Sequence, residues 1–292
     1  MRLGTTAFPP PARATPYGAF VASLRRGQQL GVQVLNAPIP ARLGADDRWR
    51  LRETIAQTGI EFEPTCPANY CSSGDEAKRV QEKVIGALEQ ARDLGAQCLR
   101  TMAQRTTNRF TKDPPLGEQL DRIATNLRPI VAAAADLGLT VALENHCDYR
   151  GSEIAEVIRA VDAPNFGAAL DTANAFTSFE DPADAAQALA PYARTTHLKD
   201  FRIAPLGLPG KAPWIPVGCA LGEGNVDLLA IVALLAQTAP DPQGLPLVVE
   251  VNWPPEGHDT IDLMVRSMAF IRQHLGDYLT GYSQPSRCRA WQ

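Results

Sequence analysis

Residues 137–145 read Leu137-Gly138-Leu139-Thr140-Val141-Ala142-Leu143-Glu144-Asn145, and this stretch carries the pattern that decides the fold. A helical pattern ends at Gly138, because glycine readily adopts the left-handed backbone that closes many helices. An apolar run of strand length follows at once and stops at a glutamate. The same order of helix end, glycine and apolar run recurs at Thr58-Gly59 and Leu94-Gly95. The chain therefore alternates helices with short, buried strands.

Eight strand-like runs alternate with helical patterns along the 292 residues. Regular alternation predicts parallel strands, because each crossover helix returns the chain to the same edge of the sheet. The predicted strands are Arg2–Thr6, Gly31–Asn36, Ile60–Thr65, Cys98–Met102, Leu139–Asn145, Phe166–Thr172, Thr195–Lys199 and Leu245–Asn252. Eight such units in a chain of this length predict an α/β fold with one closed (β/α)8 TIM barrel over residues 1–276.

The alternative is an open, doubly wound sheet, which normally carries a glycine-rich phosphate turn after its first strand. Here that position reads Gly4-Thr5-Thr6-Ala7-Phe8, which lacks the turn and favours the barrel. Two segments depart from the alternation. Residues 203–224 contain four prolines and five glycines, and we interpret them as a long loop or hairpin over the active face. Residues 277–292 show no periodicity and are predicted to be a C-terminal extension.

Composition excludes several classes of protein. Hydrophobic residues make up 45% of the chain, which supports a sizeable core, and the net charge of −4 offers no basic surface for nucleic acid. The sequence contains no apolar run of the roughly 20 residues that cross a bilayer, and its N-terminus lacks the features of a secretory signal. Six scattered cysteines with no CxxC pair are interpreted as reduced thiols. We therefore expect a cytoplasmic protein with no membrane or nucleic-acid partner.

The last four predicted strands each end in a residue that can bind a metal: Glu144, Asp171, His197 and Glu250. In a β/α barrel the carboxyl ends of the strands face the active site. Three carboxylates brought together there would repel one another unless a cation lay between them. Three oxygen donors and one nitrogen suit Mn²⁺ or Mg²⁺, with Co²⁺ or Zn²⁺ as alternatives. Four independent structural residues are the other interpretation, but equivalent positions on four successive strands favour one shared metal site.

Three further residues are candidates for contacts with a substrate. His146 lies two residues after Glu144 and points to the same side if the strand continues. Lys199 shares the strand face of His197, and Arg202 lies where the long loop begins and can meet an anionic group. An alternative remains open for each of them: a supporting contact for His146, a salt bridge for Lys199 and a solvated charge for Arg202.

Five motifs carry a family resemblance: Leu143-Glu144-Asn145, Leu170-Asp171-Thr172, His197-Leu198-Lys199-Asp200, Leu221-Gly222-Glu223-Gly224-Asn225-Val226-Asp227 and Val249-Glu250. They resemble the xylose-isomerase-like barrel superfamily, which contains sugar isomerases and epimerases and also endonuclease IV. The resemblance implies that Glu144, Asp171, His197 and Glu250 bind one divalent metal ion. It also implies that Glu144 and Glu250 flank the substrate as an acid/base pair.

One residue departs from the pattern of many sugar epimerases in this superfamily. They have a histidine three residues after the aspartate of the sixth strand, where this chain has Asn174. An amide can bind a substrate hydroxyl, but it cannot carry a proton. Asn174 is therefore a candidate for substrate binding and weakens the case for plain ketose epimerisation.

The resemblance implies a divalent-metal-dependent isomerase or epimerase of a small keto sugar or sugar derivative, acting through a metal-stabilised enediolate. The alternative is a lyase, a dehydratase or decarboxylase, that acts on an oxo-sugar or oxo-sugar acid such as an inosose or a 3-oxo-sugar acid. Asn174, Lys199 and Arg202 favour this alternative. The DNA-repair branch fits poorly, because it needs a histidine-rich cluster of three metals and this chain has four histidines in all. A non-catalytic sugar-binding module and a homo-oligomeric state are left open.

Overall fold

The computed structural model describes residues 1–41, 43–103, 108–207 and 213–281. Within these ranges, eight parallel strands close into a barrel, which confirms the predicted TIM barrel. The barrel strands are β1 (Arg2–Thr6), β2 (Val34–Pro38), β3 (Glu61–Thr65), β4 (Cys98–Met102), β5 (Thr140–Glu144), β6 (Phe166–Asp171), β7 (Ala193–Leu198) and β10 (Pro246–Val249). They pair in chain order, and β10 closes the ring between β7 and β1.

The described part of the chain contains eight α-helices, of which seven lie between strands and the last follows β10: α1 (Pro16–Gln29), α2 (Ala45–Thr58), α3 (Gly74–Asp93), α4 (Leu116–Asp136), α5 (Gly151–Val161), α6 (Pro182–Leu189), α7 (Leu228–Thr238) and α8 (Thr260–His274). Side chains of Thr15, Asp181, Asp227 and Asp259 accept hydrogen bonds from the first turns of four of them. These caps satisfy backbone donors that have no partner within the helix. None of the described helices combines the length and the apolar character that a bilayer span requires.

Alternation along the strands separates the apolar core from the barrel interior. On β5, Val141 and Leu143 belong to the large apolar cluster that lies between the barrel and the helices. Ala142 and Glu144 are the intervening residues, and they face the inside of the barrel. Because β5 ends at Glu144, its carboxylate lies at the carboxyl end of the barrel.

Six of the eight strands differ from the predicted bounds by one to three residues at an end, and the two largest differences are at β2 and β10. The strand predicted from Gly31 begins at Val34, because Gly31 has a φ of 66° and belongs to the turn after α1. The last strand ends at Val249, so Glu250 directly follows it. The Glu250 N–H still donates to the Leu198 carbonyl at 3.0 Å, which holds this residue beside β7.

The segment predicted as a long loop or hairpin, residues 203–224, forms most of an antiparallel hairpin that begins three residues earlier. It consists of β8 (Asp200–Pro205) and β9 (Trp214–Cys219), with residues 208–212 outside the described residues. The Gly218 N–H donates to the Trp253 carbonyl at 2.9 Å, and the Trp253 ring stacks on Phe201 at 5.4 Å. The base of the hairpin is therefore docked on the segment that follows β10. Its action as an active-site loop stays a prediction.

The end of the described chain returns to its beginning. The Thr280 N–H donates to the Met1 carbonyl at 2.7 Å. Residues 282–292, which make up most of the predicted C-terminal extension, lie outside the described residues.

We predict that Gly218→Ala destabilises the protein by about 1–3 kcal/mol, because overpacking of a tight contact carries a cost of this size. A Cβ at this position would overlap the Asn252 carbonyl oxygen. Gly86→Ala in α3 is the matched control, since a Cβ there meets no atom within 4 Å. The control should leave the free energy of unfolding unchanged or raise it by up to about 1 kcal/mol. Urea unfolding of both variants measures the difference, and equal stabilities would show that the hairpin is not docked at this point.

Candidate metal and substrate site

The structure brings Glu144, Asp171, His197 and Glu250 together at the carboxyl end of the barrel. Glu144 ends β5, Asp171 ends β6, His197 lies near the end of β7, and Glu250 follows β10. Each offers one ligand atom, and these atoms all lie within 4.8 Å of one another. Pairing of Asp171 with His197 across β6 and β7 fixes part of this arrangement.

The atoms that face the centre of this group are buried among charged neighbours. Glu144 Oε2, Asp171 Oδ2 and Glu250 Oε2 are buried, and among the described residues their close partners are the cations of Arg100 and Lys199 and the His197 imidazole. His197 Nε2 is buried with no hydrogen-bond partner among the described residues. His197 Nδ1 lies 2.9 Å from Glu250 Oε2 and 3.8 Å from Glu144 Oε1. Three carboxylates grouped in a buried site repel one another, and one cation among them would stabilise all four residues. The donor set therefore fits a divalent metal ion, and the group can hold one.

Lys199 supplies a positive charge to two of these carboxylates. Its Nζ lies 2.9 Å from Asp171 Oδ2 and 2.8 Å from Glu250 Oε2, and its side chain is only 3% exposed. Burial by itself lowers the pKa of Lys199, but Asp171 and Glu250 raise it above its ordinary value. Burial likewise raises the pKa of Glu250, but His197 and Lys199 hold it well below its usual range. Both partners are therefore charged near neutral pH.

Asn174 connects the two sides of the site. Its Nδ2 donates to Glu144 Oε1 at 3.2 Å, and its Oδ1 accepts from Lys199 Nζ at 3.0 Å. The backbone N–H of Asn174 donates to Asp171 Oδ1 at 2.8 Å. This residue is therefore oriented by three neighbours, and it fixes the direction of the Glu144 carboxylate.

Sequence reasoning missed two charged residues inside the barrel, Arg100 and Glu63. Arg100 on β4 is 5% exposed, and its guanidinium forms an ion pair with Glu144 Oε2. Glu63 on β3 is 1% exposed and accepts a hydrogen bond from Asn36 Nδ2 at 2.8 Å. Burial raises the pKa of Glu63 to about 7. The available signal was a charge within a short apolar strand, because such a residue requires a buried partner.

A cavity of about 630 Å³ opens above the group of ligand atoms. Pro38, Pro67 and Met102 form its apolar wall, and its polar lining comprises Thr65, Arg100, Glu144, His146, Lys199, Glu250 and Asn252. The His146 side chain is 31% exposed, with Nδ1 3.9 Å from Asp148 Oδ1. Burial, with a smaller effect of Lys199, lowers the pKa of His146 to about 4, so the imidazole is neutral near pH 7.

Arg202 is placed differently from the other predicted substrate contacts. It lies on β8 opposite Val217, is exposed, and is not among the residues that line the cavity. The chain leaves the barrel at Asp200, whose carboxylate accepts hydrogen bonds from Gly222 and Gly224 at the base of the hairpin. This departure carries Arg202 away from the face that Lys199 occupies. A substrate contact for Arg202 stays a prediction.

Comparisons with known proteins agree with this architecture. The family model described as a xylose isomerase-like TIM barrel matches residues 22–274. A solved L-ribulose 3-epimerase is 20% identical with a TM-score of 0.74, and the alignment covers 95% of both chains. A xylose isomerase-like TIM barrel protein from Mycobacterium smegmatis, in complex with magnesium, is 16% identical with a TM-score of 0.69, covering 96% of this chain and 98% of that chain. At these identities the structures show the fold alone.

Two curated proteins share sequence with parts of the chain. The 3-oxo-isoapionate decarboxylase of Pectobacterium atrosepticum is 27% identical over 168 residues, which cover 58% of this chain and 56% of the relative. YihM of Escherichia coli K12, an uncharacterised protein, is 29% identical over 122 residues, 41% of this chain and 36% of the relative. The matches thus span 56% of the first relative and 36% of the second. Because the family model covers almost the whole barrel, the chain belongs to the xylose isomerase-like TIM barrel family.

Proposed function

We propose that the protein is a divalent-metal-dependent isomerase or epimerase of a small keto sugar or sugar derivative. One observation carries the proposal: three buried carboxylates and an imidazole, with ligand atoms within 4.8 Å of one another, open on a cavity of about 630 Å³. A cavity of this size suits a small molecule. The epimerase among the structural neighbours supports the same class of reaction.

Glu144, Asp171, His197 and Glu250 would hold the metal ion. Their three carboxylate oxygens and one nitrogen favour Mn²⁺ or Mg²⁺, with Co²⁺ or Zn²⁺ as alternatives. A bound divalent ion supplies positive charge that stabilises the enediolate formed when a ketose loses a proton beside its carbonyl group.

Glu144 and Glu250 are assigned as the acid/base pair. Their strands β5 and β10 are separated in the ring by β6 and β7, so the two carboxylates reach the cavity from different sides. Lys199 keeps Glu250 ionised and able to accept a proton, while Arg100 and Asn174 orient Glu144. Return of the proton to the opposite face of the same carbon gives epimerisation, and return to the neighbouring carbon gives isomerisation.

Two observations favour a second candidate, a dehydratase or decarboxylase that acts on an oxo-sugar or oxo-sugar acid. Asn174 stands where many sugar epimerases have a histidine, and its amide is engaged by Glu144 and Lys199. One relative is named a decarboxylase of a 3-oxo compound. The same residues serve both reactions, because each passes through negative charge beside a carbonyl group. Incubation of keto sugars, inososes and oxo-sugar acids with the Mn²⁺-loaded protein, followed by NMR, separates the two outcomes.

We predict that the protein binds about one divalent ion per chain and that Asp171→Asn and His197→Ala each weaken this binding. The reason is that each change removes one of four ligands from a buried group. Asp121→Asn is the control, because Asp121 is exposed on α4. Elemental analysis after dialysis against Mn²⁺ measures the occupancy. Full activity after complete removal of metal with EDTA would overturn the metal requirement.

We predict that Lys199→Met destabilises the metal-free protein by about 3–5 kcal/mol, because Asp171 and Glu250 lose the buried ammonium between them. Mn²⁺ should then raise the Tm of the variant by more than that of the wild type, since the ion replaces the missing charge. The control, Lys78→Met, removes a lysine whose side chain is 75% exposed and should change stability by less than about 1 kcal/mol. Equal Mn²⁺-induced shifts in variant and wild type would contradict the assignment of the ion to this group.

We predict that Glu144→Gln and Glu250→Gln each reduce kcat by about 10²–10⁴-fold, the usual contribution of a positioned acid or base. Metal occupancy should fall less than it does in His197→Ala, because the amide keeps one oxygen in place. Glu156→Gln, at an exposed position of α5, serves as the control. Turnover in D₂O should also place deuterium on the carbon beside the carbonyl. Wild-type turnover without label at any carbon would contradict proton transfer through carboxylates that exchange with solvent and would favour a hydride shift.

A further inference from the structure

We infer that the substrate of this site carries a carboxylate group and that Arg100 binds that group inside the cavity. The inference rests on the proposed function, because it names the substrate class of the same site. It adds a residue that the sequence analysis did not single out, and it applies to both reaction outcomes.

The charged lining of the cavity divides into two chemical types. Its acids are Glu144 and Glu250, and both belong to the group that can hold the metal. Among the described lining residues, the remaining charged groups are the guanidinium of Arg100 and the ammonium of Lys199, which donate hydrogen bonds and accept none. The hydroxyl groups of a neutral sugar need acceptors as well as donors. Thr65, His146 and Asn252 can accept hydrogen bonds from such hydroxyl groups. The two cations add charged donors to the lining, and these are better matched by anionic oxygens.

Of these two cations, Arg100 is the one with unused hydrogen-bond donors. It is 5% exposed, and its Nε makes no hydrogen bond with any described residue. Its ion pair is with Glu144 Oε2, one of the atoms that face the metal group. A guanidinium presents five donors in a rigid fork that matches a carboxylate with two parallel hydrogen bonds. Lys199, in contrast, already contacts Asp171, Glu250 and Asn174, so it contributes charge rather than free donors.

The charge balance leaves Arg100 in excess. A divalent ion and Lys199 together balance the three carboxylates of Glu144, Asp171 and Glu250. The other carboxyl group that acts on Arg100 from the barrel interior is Glu63. Burial raises the pKa of Glu63 to about 7, so near neutral pH this group is only partly ionised and offsets only part of the guanidinium charge. A carboxylate of the substrate would neutralise the remaining positive charge of Arg100.

The interior of the barrel leaves room for the guanidinium. Arg100 pairs in register with Ala142 on β5, two residues before Glu144. Residues two apart on a strand share a face, so the small side chain of Ala142 lies below Glu144 on the inner side. The guanidinium therefore reaches the cavity beside Glu144, and a carboxylate bound to it would lie next to the group that can hold the metal.

The test compares two ligands that differ in one group. In 2-keto-D-gluconate a carboxylate replaces the C1 hydroxymethyl group of D-fructose, and the keto carbon and its other substituents are the same. Calorimetric titration of the Mn²⁺-loaded protein should show the keto acid binding about 10- to 100-fold more tightly than the neutral sugar, the gain expected from charged hydrogen bonds. Arg100→Met should abolish this preference, read as the ratio of the two affinities, because the loss of the Glu144 partner affects both ligands alike. Arg100→Lys should retain part of the preference. Arg92→Met is the control, since that side chain is 53% exposed in α3.

Each outcome bears on the inference. Equal affinity of the wild type for the two ligands would overturn it, and this measurement needs no variant to fold. A preference for the acid that survives in a folded Arg100→Met protein would show that another residue binds the carboxylate. Turnover is read separately by NMR. Arg100-dependent binding of acids with no reaction on any keto compound would defeat the proposed function and leave the inference standing, whereas turnover of fructose without acid binding would do the reverse.

Discussion

Repulsion among Glu144, Asp171 and Glu250 is the constraint on which the site depends. Like charges at such distances in a buried environment would take up protons unless cations lay beside them. The chain meets this requirement with two residues of its own: Lys199 contacts Asp171 and Glu250, and Arg100 contacts Glu144. The paired oxygens and the His197 imidazole still lie within 4.8 Å of one another, around one point. Three ionised carboxylates and an imidazole grouped around one point are the arrangement that a divalent cation requires.

The closed barrel holds these side chains together despite their repulsion. Each acid comes from a different strand, and the ladder hydrogen bonds fix the strands in register, so the side chains cannot separate to relieve their repulsion. Local contacts refine the positions: Asn145 exchanges hydrogen bonds with the backbone of Asp171 at 2.8 and 2.9 Å. Asn174 then joins Glu144 to Lys199. The apolar layer between the barrel and the helices stabilises the fold and so keeps these charged side chains in place.

The fold and the four grouped residues were predictable because both depend on short-range patterns. Alternation of strands and helices identifies the barrel, and a polar residue at the end of an apolar run identifies a site-facing position. Contacts between strands leave no such local signature. Arg100 and Glu63 lie within strands, and their partners Glu144 and Asn36 belong to neighbouring strands in the ring. The outward course of Arg202 likewise depends on the hairpin, whose base is fixed by Asp200 and glycines more than 20 residues away.

Arg100 shows why the charges inside the barrel bear on function as well as stability. A cation inside the barrel carries a desolvation penalty. A small apolar residue such as Ala142, at the adjacent strand position, carries none. Pairing of Arg100 with Glu144 offsets part of that penalty, but the Arg100 Nε stays without a partner among the described residues. A purely structural residue would have its donors satisfied within the fold. The unsatisfied guanidinium is therefore better explained by an acceptor that arrives from outside the chain, in the cavity that the predicted metal ligands share.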